Sequence, residues 1–430
     1  MPERFSRPRV ALICPSNWDR LQLSRARERL AARFVLVPYG PDAEANPATF
    51  DAESFVARAV ADLARWHVDA VVSSSDYPGC ILAAVIAEQL GLPGADPEAV
   101  LRASHKFYAR QSMACSVPEA NPRFALLRPD DQEGLRNLPL RFPFFVKPVK
   151  SWFSQYARTV DSADDLTAFL ATPGLRGHLT NFVRPFNQLL GHYRSFDHDA
   201  SFLIGEELLL GRQVTLEGCV LDGSVEVIGI VDSIMYRGTS SFERFVYPST
   251  VQRGTAMAMK SIAERVVGGL GLNWSMFNIE FIDDPDAGSI HVVEINPRMC
   301  GQFADLMEAV NGINTYEILC DVALGRTPNI SRFPTHFATA ASFPRRRFTD
   351  GMVVSMPGPR RIARVKQETA ASLVAVYYQA GQKLSAVQKH FDGASYRYLT
   401  INVAAAGPGD LEPQADDVER LLGIEIIDCL

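Results

Sequence analysis

The residues that most clearly indicate chemistry lie in Phe277–Gln302, FNIEFIDDPDAGSIHVVEINPRMCGQ. Two apolar runs flank a turn rich in Asp, Pro and Gly, a pattern that predicts a β-hairpin. If the strands pair around residue 287, Glu280 faces Glu294, and side-chain alternation places Asn296 on the same face as Glu294. Two facing carboxylates repel unless a cation lies between them, and amide and carboxylate oxygens suit a hard divalent cation. The hairpin therefore predicts a metal site; the alternative is a solvated hairpin face.

Three cationic residues accompany this hairpin. Arg298 follows the second strand in the run E-I-N-P-R, and a guanidinium can hold an oxyanion through two hydrogen bonds. Lys147 ends the apolar run FPFFVK, and Lys106 follows Ser104, a residue suited to cap a helix. A lysine at the end of an apolar strand needs an anionic partner or a route to solvent. We interpret the two lysines as phosphate-binding, with a surface role for each and a structural ion pair for Arg298 as the alternatives.

These segments together resemble the ATP-grasp enzymes. Phe277–Gln302 is similar to their metal-binding hairpin, which has a strand glutamate, then Glu-x-Asn, and often a following Arg. SHKFYARQSMACSVPEANP and FFVKPV resemble the two segments that supply the family's phosphate-binding lysines. The resemblance implies ATP as cofactor, Mg²⁺ or alternatively Mn²⁺ as metal, and the following roles: Glu280, Glu294 and Asn296 as metal ligands, Lys106 and Lys147 as phosphate ligands, and Arg298 as the catalytic residue.

Two further ATP contacts follow from the resemblance. The family usually has a glycine-rich loop after V-K-P, whereas Val149–Tyr156 contains no glycine, so Ser151 and Ser154 are the expected hydrogen-bond donors to ATP. An ordinary surface hairpin is the alternative. Ser201–Gly218 is similar to the family's adenine-binding hinge. The residues expected to contact the nucleoside there are Glu206, Glu207 and Leu209 at the adenine and Gln213 at the ribose.

The order of apolar segments predicts the architecture that must position these residues. In the first third, short apolar strands alternate with helices, as in Arg9–Cys14 followed by Asp19–Ala32, which indicates a doubly wound parallel sheet. The pattern changes near residue 115 to one typical of antiparallel strands. We therefore expect an α/β and α+β protein with an ATP-grasp fold. Its expected parts are an N-terminal α/β pre-ATP-grasp domain (1–114), a small lid (115–200) and a C-terminal catalytic lobe with a subdomain (201–430).

Composition limits the class of protein. The chain has 430 residues, of which 47% are hydrophobic and 21% charged, and its formal net charge is −6, so nothing favours a nucleic-acid or membrane partner. No apolar stretch reaches the roughly 18 residues of a transmembrane helix. Seven scattered cysteines form no CxxC pair, which fits a reducing compartment. We expect a cytoplasmic protein.

The expected activity is that of an ATP-dependent, ADP-forming carboxylate–amine ligase working through an acyl-phosphate. Within the superfamily the sequence most resembles L-amino-acid (dipeptide) ligases and biotin-carboxylase-like enzymes. That resemblance favours amino acids as the acid and the amine, and a homodimer as the assembly. Two alternatives stay open at this point. One is a phosphotransferase on the same fold, and the other is a nucleotide-binding regulatory protein whose site has changed use.

Overall fold

The computed structural model describes residues 7–26, 33–38, 49–152, 155–333, 335–369, 371–387 and 395–429. The end of the predicted helix Asp19–Ala32, from residue 27, and the predicted ATP contact Ser154 both lie outside the described residues.

A three-stranded parallel sheet forms the N-terminal part. The elements of this part are β1 (Arg9–Ile13), α1 (Asn17–Ala26), β2 (Arg33–Val37), α2 (Ala52–Trp66), β3 (Ala70–Val72), α3 (Gly79–Gln89), α4 (Pro97–Ser104) and α5 (Lys106–Ser116). The strands lie in the order β2-β1-β3. All three residues of β3 are buried, as expected for a parallel strand covered on both faces. Ligands commonly bind beyond the carboxyl ends of such strands.

A four-stranded antiparallel sheet with small helices forms the lid. Its elements are β4 (Phe124–Leu127), α6 (Gln132–Arg136), β5 (Phe144–Pro148), β6 (Arg158–Val160), α7 (Ala163–Leu170), α8 (Leu175–Gly177), a π-helical turn (His178–Phe182), α9 (Arg184–Leu190) and β7 (Leu203–Glu207). The strand order is β4-β7-β5-β6. Since β7 pairs with both β4 and β5, the lid sheet extends past the expected division at residue 200.

An eight-stranded antiparallel sheet forms the third part. The elements of this part are β8 (Arg212–Leu221), β9 (Ser224–Met235), β10 (Phe242–Tyr247), α10 (Arg253–Leu270), β11 (Ser275–Asp284), β12 (Ser289–Asn296), α11 (Ala304–Asn311), α12 (Thr315–Ala323), β13 (Thr339–Arg347), β14 (Gly351–Ser355), α13 (Pro359–Glu368), β15 (Ala371–Val376), α14 (Leu384–Val387), β16 (Tyr396–Ala405), α15 (Leu411–Leu422) and β17 (Glu425–Asp428). The order is β12-β11-β8-β9-β10-β13-β16-β15, and β14 pairs with β17 separately. Three short 3₁₀ turns span Pro118–Ala120, Gly301–Phe303 and Pro408–Asp410.

One apolar core joins the N-terminal part to the eight-stranded sheet. It includes Ile13 of β1, Met113 of α5, Val266 of α10 and Phe281 of β11, all buried. Because α5 packs on this core, the core holds in place the helix backbone from which its polar side chains project. None of the helices within the described residues has the length and apolarity needed to cross a membrane.

Candidate active site

The hairpin of β11 and β12 contains a β-bulge that sets the register of its carboxylates. Near the turn, Asp284 faces Ser289. Further along, the register shifts by one residue, so Val293 is the extra residue and Glu280 faces Glu294. The predicted pairing of the two glutamates is confirmed. The bulge that produces it was not predicted.

Arg110 of α5 holds this bulge from outside the hairpin. Its two terminal nitrogens donate to the carbonyl oxygens of Val292 and Val293, at 2.7 and 2.8 Å. Its Nε donates to Oε1 of Glu206 at 2.8 Å, and the Nζ of Lys147 lies 2.8 Å from Oε2 of the same carboxylate. Although burial opposes ionisation, the two cations lower the pKa of Glu206 to about 2. We call Glu206, Lys147 and Arg110 the Glu206 cluster.

The neighbours of the two facing glutamates shift their pKa values in opposite directions. Burial and repulsion from Glu294 raise the pKa of Glu280 well above its ordinary value, and Gln213 donates to its Oε2 at 2.6 Å. Burial opposes ionisation of Glu294 as well, but Lys106 and Lys147 lower its pKa, and the Lys106 Nζ lies 3.4 Å from its Oε2. These opposite shifts make Glu280 the more readily protonated member of the pair, and a divalent cation between the two would favour ionisation of both.

The residues present fit a magnesium ion. Two carboxylates and one amide supply hard oxygen ligands, and magnesium usually keeps several waters and substrate phosphates in its shell. The amide of Asn296 is buried, and its Nδ2 has no hydrogen-bond partner among the described residues. Within those residues, no group of three or more His, Cys, Asp and Glu side chains is placed to hold a metal, so the hairpin would rely on phosphate and water oxygens to complete the shell.

A second group of charges joins all three parts of the molecule. Oδ1 of Asp76, in the loop after β3, accepts from the Nζ of Lys150 at 3.0 Å. Oδ2 of Asp76 accepts from Arg298 at 3.3 Å. Burial opposes ionisation of Asp76, yet Lys150 and Arg298 hold its pKa well below the usual range. We call Asp76, Lys150 and Arg298 the Asp76 cluster.

Sequence reasoning missed Asp76 and Lys150. A weak signal existed for Asp76, because it follows a buried parallel strand at the edge where ligands commonly bind. Lys150 lies just after the V-K-P run, and no sequence pattern distinguishes it from a surface lysine. Arg110 lies four residues after Lys106, within a segment that resembles the family's, but only the folded structure shows its contact with the bulge.

Members of both clusters and two of the predicted metal ligands line one cleft of about 360 Å³, which opens to solvent. Its walls come from the loop after β3, from α4 and α5, from the lid and from β12. The polar side chains that line it are Asp76, Ser104, Lys106, Arg110, Lys150, Ser151, Glu206, Glu294 and Asn296. The cleft therefore combines carboxylates for a cation with cationic groups for an anion.

Other predicted contacts lie around this cleft. Ser151 is buried in its wall and donates from Oγ to the carbonyl of Gln155 at 3.2 Å. The Glu207 carboxylate pairs with Arg123 at 2.8 Å, and both side chains are exposed. Leu209 lies in the connection from β7 to β8, which links the lid to the eight-stranded sheet. The predicted adenine contacts would therefore come from main-chain groups of this connection, and the amide of Gln213 is engaged with Glu280.

The sequence and the fold both match known proteins. Residues 140–306 match the family model of the ATP-grasp domain. The chain carries an ATP-grasp domain. The matched residues include Lys147, Lys150, Glu206 and the hairpin of β11 and β12, and the match ends beyond Arg298.

Several solved structures resemble the chain over nearly its full length. L-amino acid ligase from Bacillus licheniformis superposes with a TM-score of 0.72 at 18% identity, covering 98% of this chain and 99% of that one. Biotin carboxylase from Campylobacter jejuni gives a TM-score of 0.66 at 15% identity, covering 97% and 92%. Phosphoribosylglycinamide synthetase from Anaerococcus prevotii gives 0.63 at 13% identity, covering 99% and 100%. No curated protein sequence matches significantly. At these identities the likeness shows the fold.

Proposed function

We propose that this protein is an ATP-dependent, ADP-forming ligase that joins a small-molecule carboxylate to an amine through an acyl-phosphate. The observation that carries the proposal is that Glu294, which faces Glu280 across the hairpin, lies beside Lys106 in a cleft that Arg110 and Lys150 also line. The full-length likeness to an L-amino acid ligase supports amino acids as the substrate class.

ATP would bind in the cleft between the lid and the eight-stranded sheet. Lys106 and Lys147 would hold its phosphates, and the connection after β7 would contact adenine. Glu280, Glu294 and Asn296 would hold Mg²⁺, which when bound neutralises charge on the phosphates. Catalysis of phosphoryl transfer depends mostly on positioning and electrostatic stabilisation, which these charged side chains supply.

The reaction then proceeds in two steps. The substrate carboxylate attacks the terminal phosphorus of ATP, ADP leaves, and an acyl-phosphate forms. The amine attacks the carbonyl carbon, phosphate leaves, and the amine nitrogen loses a proton. Arg298 would stabilise the oxyanion of the second step. Burial and the nearby Glu217 raise the pKa of the Cys300 thiol to about 12, and the proposed route requires no thiolate nucleophile.

The experiment that tests the proposal measures ADP and phosphate release with Mg-ATP and amino acids supplied singly and in pairs. Release that requires two amino acids, with a new amide mass, supports the ligase. Release with one acid and a stable phosphorylated product shows the phosphotransferase instead. No release from any pair, with ATP bound tightly, overturns amino acids as the substrate class.

The metal assignment has its own test. Glu294→Gln should lower turnover about 1,000-fold, since losing a metal ligand removes roughly 4 kcal/mol of transition-state stabilisation. Asp284→Asn is the matched control, because Asp284 lies at the exposed turn of the same hairpin and accepts only from turn backbone groups. Circular dichroism should show both variants folded. Substantial turnover by Glu294→Gln would show that the assigned metal ligands are wrong.

A further inference from the structure

Lys150 is a buried cation at the start of the loop that follows β5. Only 2% of the residue is exposed, and its Nζ lies 5.1 Å from the ring centroid of Tyr77 and 6.0 Å from that of Phe186. A buried ammonium is costly unless it is paired, and the pairing carboxylate here is Asp76. An ion pair that only docks the N-terminal part on the lid would explain this contact, so further observations must decide its role.

The backbone places Lys150 next to a predicted phosphate ligand. The backbone N–H of Lys106 donates to the carbonyl of Val149 at 2.9 Å, which joins the start of α5 to this loop. Lys150 lines the same cleft as Lys106, Glu294 and Asn296. Its ammonium therefore belongs to the wall that also carries the metal ligands.

The charge balance of the Asp76 cluster favours an incoming anion. Two cations, Lys150 and Arg298, share the Asp76 carboxylate, so positive charge exceeds negative charge within the cluster. Arg298 also lies near the Glu217 carboxyl, whose pKa burial raises to about 7. In the Glu206 cluster, by contrast, Arg110 also donates to two backbone carbonyls, which fixes its guanidinium in place. This positive charge beside Asp76 lies at the cleft in which the phosphates of ATP would bind.

The loop itself offers a second reason. Val149–Tyr156 contains no glycine, so its backbone cannot approach a phosphate as closely as a glycine-rich loop can. A side-chain ammonium reaches further than a backbone N–H and carries a full charge. Lys150 can therefore supply the phosphate contact that backbone N–H groups supply in a glycine-rich loop.

We propose that Lys150 binds the terminal phosphoryl group of ATP, the group that is transferred to the substrate. Without nucleotide, Asp76 pairs with Lys150 and Arg298 and so takes the charges that the terminal phosphoryl group would otherwise meet. Lys150 is assigned to the terminal phosphate because it shares Asp76 with Arg298, whereas Lys147 is paired with Glu206 in the lid. The inference rests on the proposed ATP-dependent function.

The test compares binding of Mg-ADP and of Mg-AMP-PNP, an imido analogue of ATP, by isothermal titration calorimetry. Lys150→Met should weaken AMP-PNP binding about 30-fold, as expected for one lost charge-assisted hydrogen bond, and leave ADP binding within about threefold. Lys150→Arg should restore AMP-PNP binding to within about fivefold of the wild type. Asp76→Asn should leave AMP-PNP affinity unchanged or raise it, because the competing carboxylate is gone.

The outcomes separate this inference from its alternatives. Equal weakening of both nucleotides by Lys150→Met, or no weakening of either, would show a purely structural ion pair. An Asp76→Asn variant that loses AMP-PNP affinity as strongly as Lys150→Met would show that the pair, and not the lysine, matters. A wild-type protein that binds neither nucleotide would overturn the ATP-dependent function itself, and no contrast between variants would then be seen.

Discussion

The Glu206 and Asp76 clusters share a composition, one carboxylate with two cations, but they are built differently. The Glu206 side chain is 6% exposed, and both of its cationic partners lie at 2.8 Å. The Asp76 side chain is 24% exposed, and its partners lie at 3.0 and 3.3 Å. Both carboxylates line the same cleft, and Asp76 is the more exposed and the more loosely paired of the two.

This difference indicates different roles for similar charges. Arg110 connects the Glu206 carboxylate to the bulge carbonyls, so that cluster supports the hairpin and the lid sheet. The Asp76 cluster joins three loops with looser contacts, which a ligand can rearrange. Removing a charge from the first should therefore change stability, and removing one from the second should change ligand binding.

The largest expected effect is on the stability of the Glu206 cluster. Arg110→Met leaves a buried carboxylate with one cation and two carbonyls without a donor, so unfolding free energy should fall by about 3–5 kcal/mol. Urea denaturation followed by circular dichroism measures it. Arg265→Met, on the exposed face of α10, is the matched control and should cost less than about 1 kcal/mol. Similar losses in the two variants would contradict a supporting role for the cluster.

A smaller effect concerns the helix α5, which carries Lys106 beside Glu294 and Arg110 beside Glu206. Burial lowers the pKa of His105, the residue before this helix, from its ordinary 6.5 to about 4. The folded state therefore binds this proton less readily than the unfolded state, so stability is complete above pH 6.5 and is lost as pH falls toward 4. At pH 5 the loss should be about 2 kcal/mol relative to pH 7.

Urea midpoints of the wild type and His105→Gln at both pH values measure this contribution. Gln can keep the donation that the His105 ring nitrogen makes to the carbonyl of Asp199, and it does not titrate. The variant should therefore show a smaller decrease in stability between pH 7 and pH 5. An identical decrease in both proteins would mean that His105 does not account for the acid sensitivity.

The smallest expected effect concerns an ion pair that matches the Glu206 cluster in distance and differs from it in solvent exposure. Arg123 and Glu207 approach to 2.8 Å, the same distance as in the Glu206 cluster, but their side chains are 66% and 42% exposed. Solvent screening makes such pairs weak, so Arg123→Met should leave the thermal midpoint unchanged. A clear decrease would show that distance, rather than burial, sets the value of these ion pairs.

The elements with local sequence signals were predictable. The hairpin of β8 and β9 turns at Asp222 and Gly223, an Asp-Gly pair of the kind that predicts a tight turn, and both residues have the positive φ that such a turn needs. The facing glutamates also followed from strand alternation and a turn centre. The predicted register of the glutamates was right although the bulge was missed. Pairing around residue 287 gives Glu280 opposite Glu294, and the actual turn combined with the one-residue shift at the bulge gives the same pair.

Contacts between distant segments were not predictable. Asp76 lies 74 residues before Lys150 and 222 before Arg298, so no local pattern connects them. The pairing of β7 with the lid depends likewise on strands far upstream, such as β4. Periodicity indicates which residues face the interior, but not which loops meet above it.

The bulge at Val293 separates the two ends of the metal hairpin. Arg110 fixes the register at the carboxylate end, on the far side of the shift from the turn. The exposed tip around Asp286 therefore does not determine how the glutamates face each other. A short epitope or a dye-labelled cysteine introduced at this tip would report on the hairpin while the spacing of its carboxylates stayed the same.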